Sequence, residues 1–225
     1  MPRSHTKSRI LATALDLFNL EGEGEVSATD IAAVLGISTG NLYYHFRGKE
    51  PMVEALFADF EVELRQVLGA PIARPLAIED NWIFLYIVFE EIWDFRFFYR
   101  DPAGFVARVP ALAARFARLL AFKEETAKSL LSELERRDAV AFRAGERDAL
   151  AERLAQHMSL WIHYITLRGA GRVDGRGDGR GDGRGEKKAL INRGVHQALL
   201  MISPYVVAEA AFAEGLAETA EDAPV

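Results

Sequence analysis

The sequence contains no cysteine. Disulfides, thiolate metal centres and cysteine nucleophiles are therefore excluded, and the absence fits a reducing cytoplasm. Strand signals are scarce while Ala, Leu, Glu and Arg are plentiful, which favours an all-α fold. No apolar core segment opens the chain, so no signal peptide is expected. A long apolar run free of charge is also missing. The most apolar stretch, residues 82–99, carries Glu90, Glu91, Asp94 and Arg96, and a membrane span would hold those charges at heavy cost. Net positive charge is lacking too: the chain carries −6 at pH 7, which at first argues against a nucleic-acid partner.

Signs of catalysis are equally sparse. Of the five histidines, His157 and His163 lie six apart, a spacing that does not bring them to one helix face. The glycine-rich run at 172–186 lacks the lysine and the preceding strand of a phosphate-cradling loop. Glu90, Glu91 and Asp94 read as solvated charges on an amphipathic helix. Neither an enzyme, a metal site nor a cofactor is expected.

What is present is concentrated in SATDIAAVLGISTGNLYYHF, residues 27–46. Ser27 can cap a first helix, with Asp30 in the reciprocal capping position. Ile31, Val34 and Leu35 recur at helical spacing, and Ala32 lets a neighbour approach. Gly36 ends that helix and Ile37 turns into the core. Ser38 or Thr39 caps a second helix, held by Leu42 and Phe46. This is a helix-turn-helix.

The outer face of the second helix carries Thr39, Gly40, Asn41, Tyr43, Tyr44 and His45, where a generic surface helix would carry Glu and Lys. Asn can read an adenine edge, Thr can reach a base, and Gly lets the backbone approach a duplex. Tyr and His reach phosphate oxygens, and Lys49 stands ready to neutralise one. The plainer alternative is a helical hairpin with polar solvent-facing residues.

The run 39–46 followed by Lys49 and Glu50 resembles the recognition helix of TetR-like (AcrR-type) one-component transcriptional regulators. The resemblance covers roughly residues 7–64. It implies a three-helix DNA-binding head at 1–50 and a larger helical ligand and dimerisation domain at 51–225. It further implies a homodimer on a near-palindromic operator in double-stranded DNA, released by a small molecule. Residue by residue, it places Ser27, Thr39, Gly40, Asn41, Tyr43, Tyr44, His45 and Lys49 at DNA. Thr29 stands where many such proteins carry a basic residue.

The charge objection weakens locally. Arg3, Lys7 and Arg9 lie before or at the start of the first expected helix (7–20), and Arg47 and Lys49 follow the recognition helix, so a fold that joins these ends makes a basic patch. Further helices are expected over 51–68, 82–99, 111–136, 146–168 and 187–202, with a short one to residue 216. Gly69 and two prolines should end the first of these.

Trp82, Tyr86, Phe89, Trp93 and Phe97 share one helix face. Core packing is the ordinary reading of each. As a group they could wall a cavity with Phe116, Leu120, Trp161 and Tyr164, suited to an uncharged or weakly charged apolar effector. The Asp-Gly-Arg-Gly units within 169–186 make a flexible loop. Their Arg-Gly-Asp triplets read as repeat expansion rather than adhesion motifs. The apolar helices on either side of that loop are the expected dimer elements.

Overall fold

A computed structural model describes residues 2–73, 81–169 and 184–207. The described residues form ten α-helices, two short 3-10 turns and one isolated bridge, confirming the all-α expectation. Helix α1 (Pro2–Glu21), α2 (Ala28–Leu35) and α3 (Thr39–His45) make the head. Ile10, Ala14 and Phe18 of α1 meet Ile31, Leu42 and Phe46 in its core, all at most 4% exposed. Burying one such large side chain stabilises by roughly 1.5–3 kcal/mol, which offsets part of the entropy cost of ordering the three helices.

The body comprises α4 (Lys49–Ala73), α5 (Asn81–Asp94), α6 (Phe97–Arg100), α7 (Pro102–Arg108), α8 (Ala113–Arg136), α9 (Glu146–Leu167) and α10 (Arg184–Ile202). Helix α4 continues past residue 68, through Gly69 and Pro71. A proline in the last turn forfeits one backbone bond and does not break what precedes it. This helix packs on α1 at one end and on α5 and α8 along the rest, linking head to body.

The aromatic stretch departs from the expected single helix. Helix α5 ends at Asp94, and the chain turns at Phe95 and Arg96 before α6. Phe97, Phe98 and Tyr99 are then buried in succession. Successive residues on a surface helix point about 100° apart, so three together cannot face one core from a straight continuation of α5. The turn brings Phe98 within 5.2 Å of Phe57 and 5.0 Å of Phe105, ring to ring.

Asn19 fixes that turn. Its side-chain amide donates to the Asp94 carbonyl at 2.7 Å, and its Oδ1 accepts from the Phe97 backbone N–H at 3.1 Å. Backbone groups freed at the α5–α6 break are thus satisfied from the head. Phe18 lies beside the clamp, 5.3 Å from Phe97.

Glu90 and Asp94 are not simply solvated. Both pair with Lys187, at 3.4 and 2.8 Å, and tie α5 to α10. At the C-terminal end, Val206 bridges Val140 in antiparallel fashion. Helix therefore does not resume directly after the 3-10 turn at Ser203–Tyr205. The expected flexible loop, at residues 170–183, and the expected short helix to residue 216, beyond residue 207, lie outside the described residues. No described helix is long and apolar enough to cross a membrane.

Candidate nucleic-acid interface

Two caps set the helix pair. Ser27 Oγ accepts from the Asp30 N–H at 3.2 Å, and the Asp30 carboxylate takes the Ser27 N–H at 2.8 Å. Ser27 Oγ also donates to that carboxylate, at 2.6 Å, and these bonds hold the Asp30 carboxyl below its usual range. Gly36 adopts φ 66°, in the left-handed region, and closes α2 with bonds back to Ala32 and Ala33. Ser38 then caps α3 by accepting from the Asn41 N–H at 3.2 Å. Each cap satisfies amides that would otherwise compete for the outer side chains.

Helix α3 is anchored by Leu42, wholly buried, and by Phe46 just beyond its end. Thr39, Gly40, Asn41, Tyr43 and Tyr44 are exposed together, and His45 is half-buried with its ring 5.3 Å from Tyr44. Ser27 and Thr29 are exposed at the start of α2. Lys7 reaches over the Phe46 ring at 5.3 Å, which brings the basic start of α1 beside Arg47. Val34 does not join the α2 stripe; it is 65% exposed, because Ala28, Ile31 and Ala32 already occupy the one inward face of an eight-residue helix.

Lys49 is more constrained than its position after the recognition helix suggested. Its ammonium lies 2.9 Å from the Glu23 carboxylate and also donates to the Glu23 carbonyl oxygen. Glu23, 8% exposed, is shared with Arg108 of α7 at 3.3 Å. Nothing in the acidic run 21–25 marks Glu23 as the buried one. Asn19 is likewise silent in the sequence, since a polar residue near a helix end looks solvated.

The nine aromatic and aliphatic residues expected around one cavity are dispersed. Phe89 and Trp93 are packed in the core, and Trp82 and Tyr86 are half-buried against it. Phe116 and Leu120 border an open groove of about 380 Å³ between α8 and α9. Trp161 and Tyr164 stack at 5.9 Å beside a separate cleft with His157 and Gln197. A third cavity, of about 30 Å³, lies where α4, α5, α8, α9 and α10 converge, and none of the nine lines it.

Behind the hydrocarbon surface of that central cavity stand two polar side chains that sequence reasoning passed over. Lys123 and Thr126 of α8 border it, both buried. The signal was available: position 123 falls in the apolar register of Phe116, Leu119, Ala127, Leu130 and Leu134. A lysine there interrupts an otherwise inward-facing stripe.

Elsewhere, burial first and the adjacent Glu63 second push Glu91 up to about 7. Among the described residues, no group of three or more His, Asp or Glu is placed to hold a metal ion.

Comparison with known proteins gives a consistent answer. A family model described as "Bacterial transcriptional repressor" (TetR) matches residues 59–212. A second, "Bacterial regulatory proteins, tetR family", matches residues 10–56. The chain is similar to the transcriptional regulator SrpR of Pseudomonas putida, 30% identical over 77 residues, which is 34% of each protein. The match to TtgW of the same species spans 54% of that protein. The chain thus aligns with a third to a half of these curated relatives.

Among solved structures, a regulator from Marinobacter aquaeolei VT8 aligns over 97% of this chain and 99% of its own, with TM-score 0.80 and 26% identity. CprB of Streptomyces coelicolor, solved in complex with its operator, covers 98% of each chain with TM-score 0.64. At 19% identity, that second likeness is one of fold.

Proposed function

Since the chain belongs to the TetR family of bacterial regulatory proteins, we propose that it is a homodimeric repressor that leaves a near-palindromic operator when a small apolar effector binds. The exposed, uncharged hydrogen-bonding face of α3 on a doubly capped helix pair carries this reading. Residues 1–50 form the DNA-binding unit and 51–225 the regulatory and dimerisation unit. Asn41 and Thr39 read base edges, and Gly40 permits close approach. Tyr43, Tyr44, His45, Ser27 and Lys49 hold phosphates and fix register. Lys7 and Arg47 add positive charge to the same side of an acidic molecule.

Dimerisation is assigned to α9 and α10. Leu160, Tyr164 and Leu167 on α9 and Leu200 on α10 leave large apolar surface exposed, from 46% to 74% for each residue. Pairing these faces would bury it. A two-fold axis then sets two recognition helices about 34–36 Å apart, one helical turn of DNA, or a multiple of it. Helix α4 runs from beside α3 into the body, so widening the body moves the heads. Only a ligand that favours the widened state displaces the balance, and a hundredfold preference is worth about 2.7 kcal/mol.

Selection of bound genomic DNA fragments, followed by gel shift, tests the reading. Recovery of a palindromic sequence bound by a dimer is expected. Equal affinity for all DNA would overturn it, and a protein factor needed for release would replace the small effector.

A further inference from the structure

Lys123 is the one fully buried cation among the described residues, at 0% exposure. Its ammonium donates to Tyr99 Oη at 2.8 Å and to Ser159 Oγ at 3.2 Å, and lies 4.5 Å from the Tyr99 ring centre. Both acceptors are neutral. Among the described residues no carboxylate forms an ion pair with it, and burial alone pushes the lysine down to about 7. One turn along α8, Thr126 is 2% exposed and its Oγ1 has no partner. Residues three apart share a helix face, and both border the 30 Å³ cavity.

The remaining wall is almost wholly hydrocarbon, with Leu68, Leu85, Leu130, Leu154 and Met158 among its members. An apolar chamber with one cation and one unpartnered hydroxyl set just behind the same wall becomes complementary, once its walls part, to an apolar chain that ends in an anion. An ammonium offers three protons, and two are placed. We propose that this cavity binds an aliphatic carboxylate, its chain among the leucines and its carboxylate accepting from Lys123 Nζ and Thr126 Oγ1.

This names the effector class for the regulator proposed above, and rests on that reading for its effect on DNA but not for binding itself. As it stands, the cavity admits only about one or two waters, so the chain must part the walls to enter. One of those walls is Leu68 on α4, the helix that begins beside the recognition helix. Ligand affinity for the parted state is what a switch requires.

The test is calorimetric titration of the full-length protein with octanoate, octanol and methyl octanoate at about pH 8, above the lowered lysine value. Octanoate is expected to bind at least about tenfold tighter than either neutral analogue, as a charge-assisted contact implies. Heats in buffers of different ionisation enthalpy should show uptake of about one proton per octanoate and none with octanol. Lys123→Met should erase the preference while octanol binding persists, and Thr126→Val should reduce it.

Equal affinity for acid and alcohol, or no binding of octanoate, would each overturn the proposal. The comparison of octanoate with octanol uses unmodified protein, so it decides the matter even if Lys123→Met fails to fold. Gel shift with selected DNA tests the regulatory reading separately. Tight octanoate binding without DNA release would leave the site standing and remove it from the switch.

Discussion

Glu23 and Lys49 are joined twice, ammonium to carboxylate at 2.9 Å and ammonium to main-chain carbonyl at 2.6 Å. The same carboxylate holds Arg108, so the loop after α1, the first turn of α4 and the end of α7 share one anion. If Lys49 is to meet a phosphate, it must loosen this attachment. With Lys49 in its proposed role, DNA binding and the head–body seam would compete for one ammonium.

Glu23→Gln should accordingly strengthen binding to any DNA sequence, by roughly two- to fivefold, or about 0.5–1 kcal/mol, as for a partly exposed ion pair. Lys49→Ala should weaken all sequences and reduce the slope of log affinity against log salt by about one. Fluorescence anisotropy over a salt series measures both. Unchanged affinity in both variants would remove Lys49 from the DNA contact.

Asn41→Ala should cost roughly 1–3 kcal/mol on the selected operator and blur preference at a single base pair. The Asn41 amide nitrogen of the backbone is already capped by Ser38, so the helix itself should survive. Circular dichroism checks that survival, and competition among single-base operator variants reads the preference. An equal loss on every variant would count against base reading.

A dimer held by exposed apolar residues should yield to charge. Leu160→Glu together with Leu200→Glu should produce a folded monomer at micromolar concentration, because neither side chain is buried within the protomer. Light scattering measures the mass. Operator affinity should fall with it, since a single head contacts half a palindrome. A dimer that persists in this variant would place the interface on other helices.

Gly194 marks where α10 comes closest to its neighbours. A Cβ there would stand 2.8 Å from the Phe89 ring and 2.9 Å from the Trp161 indole nitrogen. Both rings are buried, so Gly194→Ala forces the helix outward and should destabilise by about 1–3 kcal/mol, the usual range for overpacking. Urea unfolding followed by tryptophan emission is the measurement. A neutral result would mean that α10 can shift without cost.

Lys123 makes stability depend on pH in a definite direction. Its folded value is about 7 against 10.5 when unfolded. Between those limits the unfolded chain holds the extra proton, so stability rises with pH and the penalty is complete below the folded value. Relative to Lys123→Met, the unmodified protein should gain up to about 1.4 kcal/mol per pH unit between pH 7 and 10. Parallel unfolding curves for the two proteins across that range would refute the assignment.

The head was legible from its sequence because its determinants are local. The Ser27–Asp30 cap, the left-handed Gly36 and the Leu42–Phe46 anchor all act within a few residues. The body was less so. An aromatic face on 82–99 could not disclose that Asn19, far back along the chain, takes the freed groups of Asp94 and Phe97 and turns the helix there. Without that turn, Phe97 would follow Trp93 on one stripe, and the expected cavity would have had its wall. Lys123 was legible as an interruption in the α8 register, but periodicity records hydrophobic positions more readily than the polar exception among them. The position of Lys49 just past the recognition helix is local, while its tie to Glu23 depends on folding and has no local signature.

Asn19 grips Asp94 and Phe97 through their main-chain atoms alone. A peptide group looks the same whatever residue bears it. That clamp is thus indifferent to which side chains residues 94 and 97 carry, whereas the Phe18–Phe97 and Glu23–Arg108 contacts beside it are not. On the proposed reading, mutation could recast the chamber for a different chemical signal while the clamp keeps its grip, so specificity and transmission could evolve apart.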